Sequence, residues 1–244
     1  MTVLTSIVMP VYNEGENVVP YLEELLEIAP QASEILVVYD FPEDTTVPVL
    51  QRYDDPRLKP ILNTVGRGPA GAIKAGFEAA EGDVVVVTMA DGSDDASQIE
   101  VLSRLIRTGK VVASASRYMP GGRQIGGPIA KRSLSRAAGM SLFLFARVGT
   151  RDATNSFKAY SSRFVRQVGV ESTGGFEIAI ELVAKARRHR EPVAEIPTTW
   201  RDRSNGESRF RITAWAPKYL KWYAYAFGPA LSKAQTSVRS ECTQ

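Results

Sequence analysis

The sequence predicts an α/β protein built on an open, mainly parallel sheet flanked by helices. Three observations predict it. The apolar runs are continuous rather than alternating, as in "SIVMP", "EILVVY" and "DVVVVTM", which marks strands buried on both faces. Segments with apolar residues at helical spacing separate these runs, giving a strand–helix alternation over residues 1–117. Three strands run straight into polar loops, Asn13–Glu14, Asp40 to Asp44 and Asp91 to Asp95. In such sheets ligands bind beyond the carboxyl ends of the strands, so these loops are expected to converge on one cleft.

Taken in order, "TSIVMPVYNE" reads as strand then loop, and "EGENVVPYLEELLEIAP" as a helix that tolerates Pro20 near its first turn. "EILVVYD" is a second strand, "RLKPIL" a third, and "GPAGAIKAGFEAA" a helix entered through glycines with Pro69 at its start. "DVVVVTM", "ASQIEVLSRLIRTG" and "KVVASAS" give strand, helix and strand, with Gly109 as the helix stop. Beyond a Gly-rich loop, "KRSLSRAAGMSLFLFARVG" and "GGFEIAIELVAKARRHR" read as helices and "PVAEIPTTW" as a strand. "RDRSNGESRFR" is polar and basic, and residues 231–244 have the composition of a disordered tail. The expected organisation is one domain over 1–230, divided into halves at 1–117 and 118–230, with a helical extension at its C-terminal end.

Counting narrows the chemistry. The chain has one cysteine, Cys242, and one histidine, His189, so a His/Cys metal site is excluded and any metal is held by oxygen, which points to Mg2+ or Mn2+. No disulfide can form within the chain, and a cytoplasmic, reducing location is expected. "AAGMSLFLFA" is too short to span a bilayer, and Pro217, Lys218 and Lys221 interrupt "AWAPKYLKWYAYAFGPAL", so no transmembrane helix is expected. "KARRHR" ends a helix, where cations favour the dipole. No nucleic-acid partner is expected.

Seven segments in order carry a resemblance: "SIVMPVYNEGENV", "VVYDFPEDTT", "GPAGAIKAGFEAAEGDVVVVTMADGSDD", "ASRYMPGG", "DATNSFKAY", "GGFEIAIELV" and "DRSNGESRFR". Together they resemble the family 2 glycosyltransferases with the GT-A (Rossmann-like) fold, and within them the dolichol-phosphate mannosyltransferases and other polyprenyl-phosphate glycosyltransferases. The resemblance covers roughly residues 5 to 212. It implies inverting transfer of a mannose- or glucose-like sugar from a GDP- or UDP-linked donor to a polyprenyl or dolichyl phosphate.

The same resemblance assigns residues. Pro10, Tyr12, Asn13, Glu14 and Asp40 fall where the family holds base and ribose, although Tyr39 and Phe41 replace an acid and a glycine of the common pattern. The metal motif Asp-x-Asp falls on Met89, Ala90 and Asp91, so its first carboxylate is missing and Asp91 is left with Asp94 as helper. The competing account of Asp94 and Asp95 is that they cap the next helix. Arg117, Lys131, Arg132 and Ser135 fall at the acceptor phosphate, and Arg203, Ser208 and Arg209 on a loop that covers the donor. Asp91, Arg117 and Arg203 are the expected catalytic residues. Asp152, Thr154 and Asn155 fall near the sugar, with Asn155 and Ser156 departing from the pattern.

Other readings compete. A hydroxyl acceptor would need a carboxylate base, for which Asp152 and Glu177 are the candidates. A nucleotide-sugar-binding protein without catalysis would explain Met89. A nucleotidyltransferase usually begins with a Gly-rich phosphate loop, which "PVYNEGEN" is not. A lipid acceptor calls for peripheral contact with a membrane. "AWAPKYLKWYAYAF" has an interfacial composition, and it reads equally well as a packed helix or as a contact in a homodimer or with a small membrane subunit.

Overall fold

The computed structural model describes residues 5–29, 33–202 and 212–231, the last segment with side chains from residue 216. The chain opens with β1 (Thr5–Pro10), α1 (Val19–Ile28), β2 (Ser33–Tyr39), the short α2 (Val47–Leu50), β3 (Leu58–Leu62), α3 (Pro69–Ala79) and β4 (Val84–Val87). Then come α4 (Ile99–Arg107), β5 (Val112–Ser116), β6 (Arg123–Ile125) and α5 (Ile129–Ser141), which runs into a π turn at Leu142–Ala146. β7 (Lys158–Ser161), α6 (Ser162–Val168), α7 (Ile178–Arg188), β8 (Val193–Pro197), β9 (Thr199–Arg201) and α8 (Ile212–Ala226) follow.

The seven-stranded sheet has the order β3-β2-β1-β4-β7-β5-β8. Every pairing is parallel except those of β7, which runs antiparallel to both β4 and β5. The mainly parallel sheet expected from the continuous apolar runs is therefore present, with one reversed strand inserted at its centre. "PVAEIPTTW" divides: β8 joins the main sheet, and β9 pairs with β6 in a separate two-stranded ribbon.

Side chains on a strand alternate between the faces, so each valine of β4 serves one of two cores. Val85 and Val87 join Val8, Leu36, Ile73 of α3 and Leu182 of α7 on one face. Val84 and Val86 join Ile7, Ile35, Leu25 of α1 and Leu102 of α4 on the other. Helix α3 lies close because of Gly76, where a Cβ would stand 2.3 Å from a methyl of Val8. Helix α8 is the C-terminal extension and packs on α7. Its Trp222 is buried in the first core beneath the ammonium groups of Lys185 and Lys221. For the described part of α8, then, the packed helix is the reading the contacts support.

Candidate functional site

The three polar loops meet at one edge of the sheet, beyond β1, β2 and β4. On the first, Asn13 takes a left-handed conformation (φ 53°), and its backbone N–H donates to Asp44 at 2.9 Å while its Oδ1 accepts from Thr45 N at 3.1 Å. The Glu14 N–H donates to Thr46 Oγ1. The loops after β1 and β2 are thus laced together, with Asp44 fully buried as the tie. Tyr12 is exposed and meets Phe41 edge to face at 5.6 Å. Pro10 ends β1. Asp40 accepts from Asn63 Nδ2 at 2.7 Å and from Gly68 N at 2.8 Å, so it braces the entry to α3.

The acidic loop after β4 separates its three carboxylates by role. Asp95 caps the following helical turn, accepting from Ser97 N–H and Oγ–H. Asp94 is buried, and its Oδ2 accepts from the Met89 N–H (3.1 Å) and Thr88 Oγ1 (3.2 Å), with Tyr21 OH 2.5 Å from Thr88 Oγ1. Burial pushes the Asp94 carboxyl up to about 7, and the charge of Asp91 adds to the rise. Asp91 sits half-exposed, its Oδ1 accepting from Ser93 N–H at 3.1 Å. Ala90 between them is buried, and Met89 packs against the core. Among the described residues no group of three or more Asp, Glu, His or Cys is placed to hold a metal. The donor set fits a hard cation that takes one carboxylate, from Asp91, and draws its other ligands from phosphate oxygens and water.

The basic side of the site is a partly buried network at the end of β5, centred on the buried Asp152. Arg117 donates through Nε (2.7 Å) and Nη2 (2.9 Å) to the two oxygens of Asp152, and its backbone N–H also donates to Asp152. Nη2 reaches Ser135 Oγ at 3.3 Å. Ser135 Oγ in turn meets Thr154 Oγ1 at 2.6 Å and accepts from Tyr118 OH at 3.1 Å. The guanidinium stacks over Tyr118 and lies 6.0 Å from the Trp200 ring. Burial alone would disfavour both charges. Their pairing outweighs it, lowering the Asp152 pKa and raising that of Arg117.

Helix α5 begins at Ile129, two residues before the expected Lys131, and its N-cap Pro128 supplies no capping side chain. Lys131 is half-buried there and Arg132 exposed. Gly139 lets the helix lie against the segment that carries Asp152, since a Cβ would stand 2.2 Å from the carbonyl oxygen of Arg151.

The structure therefore joins Arg117, Ser135, Asp152 and Thr154, and sets Asp91, Asp94, Asn13 and Glu14 at the same sheet edge. Arg203, Ser208 and Arg209 lie outside the described residues, as do Cys242 and all of the expected tail after residue 231. Tyr118, Lys158 and Trp200 escaped sequence reasoning, and Phe41 entered it only as a departure from the family pattern. Lys158 carried a signal, being a lone cation inside the apolar "SFKAY". The "KARRHR" cations act structurally: Lys185 is buried against Glu181, and Arg187 and Arg188 donate to backbone carbonyls.

Known proteins resemble this chain in sequence and in fold. An undecaprenyl-phosphate mannosyltransferase of Micrococcus luteus is 29% identical over 86% of this chain and 87% of its own. A dolichol-phosphate mannosyltransferase of Pyrococcus furiosus is 32% identical over 84% of this chain, which spans 59% of that protein. A polyprenol monophosphomannose synthase of Mycolicibacterium smegmatis is 28% identical over 86% of both chains. Glucosyl-3-phosphoglycerate synthase from Mycobacterium tuberculosis, solved with Mn2+, UDP-glucose and phosphoglyceric acid, shares the GT-A fold (TM-score 0.74, 15% identity, 95% of this chain and 82% of that one). Residues 6–169 match the profile of glycosyl transferase family 2, and the chain belongs to that family of glycosyltransferases.

Proposed function

We propose that this glycosyltransferase moves a hexose from a nucleotide diphosphate-sugar to a polyprenyl phosphate, inverting the anomeric centre. The observation that carries the reading is the Arg117–Asp152–Ser135 network. A partly buried, permanently charged guanidinium held in one orientation beside a hydroxyl is suited to a phosphate. The hydroxyl-acceptor alternative loses both of its candidate bases. Asp152 is committed to Arg117, which outweighs burial and keeps its pKa low, and both oxygens of the buried Glu177 accept from Gly174 N–H and Gly175 N–H. A phosphate monoester needs no such base. One of its oxygens attacks the anomeric carbon, the bond from that carbon to the diphosphate breaks, and the nucleotide diphosphate leaves with the electron pair.

The donor side belongs to Tyr12, Asn13, Glu14 and Phe41 for base and ribose, and to Asp91 for the diphosphate end. A Mg2+ or Mn2+ ion held there by Asp91 would supply Lewis-acid stabilisation of the leaving diphosphate. The mannosyltransferase relatives support transfer of a sugar, and Mn2+ with UDP-glucose in a neighbour of the same fold supports a divalent cation beside a nucleotide diphosphate-sugar. The direct test supplies radiolabelled GDP-mannose or UDP-glucose with undecaprenyl phosphate. Label extracted into organic solvent is expected, and label that stays in water would overturn the lipid acceptor.

Contact with the membrane is assigned to α5 and its π turn rather than to α8. Ile129 (71%), Leu134 (60%), Leu144 (57%) and Phe145 (75%) are all exposed there. Residues 118–151 include no acidic side chain, and their cations are Arg123, Lys131, Arg132, Arg136, Arg147 and Arg151. Apolar wedges among cations suit an anionic lipid surface, and they would bring the lipid beside Ser135. No helix among the described residues is long and apolar enough to cross a membrane. Phe145→Glu and Leu144→Glu are expected to abolish flotation with phosphatidylglycerol vesicles while leaving the folded state intact. Undiminished flotation would move the contact elsewhere.

A further inference from the structure

We infer that Lys158 is a positioning residue for the acceptor site, acting through the turn at residues 152–155. Its side chain is fully buried at the first position of β7, opposite Val87 of β4 and Ser114 of β5. The amine donates to the carbonyl of Asp152 at 3.1 Å and to the carbonyl of Asn155. Those residues are the first and last of the turn, so one side chain closes it.

Three side chains leave this turn for three parts of the site. Asp152 grips Arg117, Thr154 meets Ser135 on α5, and Asn155 Nδ2 donates to the carbonyl of Ala115 on β5 at 2.8 Å. The turn therefore fixes the distance between the strand that offers Arg117 and the helix that offers Ser135. An ammonium is an expensive way to fill a strand position, and burial lowers its pKa to about 7. An apolar residue would fit the strand pattern better, but it would take the ammonium from the Asn155 carbonyl and leave the Asp152 carbonyl with Ser114 Oγ.

The inference rests on the reading of Arg117 and Ser135 as acceptor-phosphate contacts. It is tested with Lys158→Met, which removes the donors, and Lys158→Gln, which keeps two N–H donors on a shorter stem. The acceptor KM for undecaprenyl phosphate is compared with the calorimetric affinity for GDP and UDP. Misplacing the clamp by even an ångström is expected to raise the acceptor KM in Lys158→Met by about tenfold or more, with nucleotide affinity changed less than about twofold. Lys158→Gln should fall between Met and the native protein, and it decides alone if the Met variant does not fold. An unchanged acceptor KM, or a parallel loss of nucleotide affinity, overturns the inference. If Ser135→Ala and Arg117→Lys also leave the acceptor KM unchanged, the acceptor reading fails as well. If they raise it and the Lys158 variants do not, only the role of Lys158 fails.

Discussion

Arg117→Ala is expected to be among the most damaging single substitutions in this chain, for stability and for turnover alike. It strands the carboxylate of Asp152, which is wholly inaccessible to solvent and loses both guanidinium hydrogen bonds, keeping only the one from the residue 117 backbone N–H. Removing one partner of a buried pair costs about 3–5 kcal/mol, because the other charge stays behind without compensation. Turnover should fall further, by about two to three orders of magnitude in acceptor kcat/KM, as for loss of a fixed donor at a reacting oxyanion. Arg117→Lys separates the two effects. It keeps the charge for Asp152 but not the planar fork, so most of the stability should return and most of the activity should not. Calorimetric unfolding and acceptor kinetics on both variants check this. A folded Arg117→Ala protein with native acceptor KM would remove the residue from the acceptor site.

The second large effect belongs to Asp91. Its neighbours at 94 and 95 cannot replace it, since Asp95 is a helix cap and the Oδ2 of Asp94 is engaged inside the loop. Asp91→Ala should therefore lower kcat by at least about a hundredfold and abolish the enhancement of turnover by Mn2+, since metal stabilisation of the leaving group is worth several kcal/mol. Met89→Asp makes the converse case. It restores the two-acid pattern and should tighten Mn2+ binding in the presence of nucleotide diphosphate by about tenfold, read by electron paramagnetic resonance, because affinity follows the number of charged ligands. Weaker Mn2+ binding in that variant would show that the half-buried position of Met89 does not open toward the cation.

Much of this was legible in the sequence because strands buried on both faces advertise themselves. The four valines of β4 announced a central strand, and the loop after it announced a site. What the sequence could not separate was the work of Asp91, Asp94 and Asp95. Three carboxylates within five residues have the same composition whether they cap, brace or coordinate, and only burial and hydrogen-bond direction tell them apart. The reversal of β7 was equally hidden, since "SFKAYS" has no period that distinguishes parallel from antiparallel. Lys158 went unread for a related reason: a lysine in a short strand reads as a solvated edge until its neighbours are known. The aromatic run of α8 suggested an interface; Trp222 faces the core while Leu220 stays exposed, and α5 with its π turn exposes Ile129, Leu134, Leu144 and Phe145, where arginines and serines had diluted the signal.

The reversed strand has a consequence for how the protein comes into being. β4 and β5 are consecutive in the chain, yet they do not touch as neighbours in the sheet; β7, completed only at Ser161, lies between them. A nascent chain that has emerged as far as residue 117 carries β1 to β5 but lacks the strand that joins β5 to β4. Such long-range pairing is slow to form, because loop closure must precede its reward. A boundary at residue 117 is thus no boundary of the sheet, which needs β7 before β4 and β5 are joined. β1, β2, β3 and β4 pair without β7, whereas β5 and β8 join them only through it.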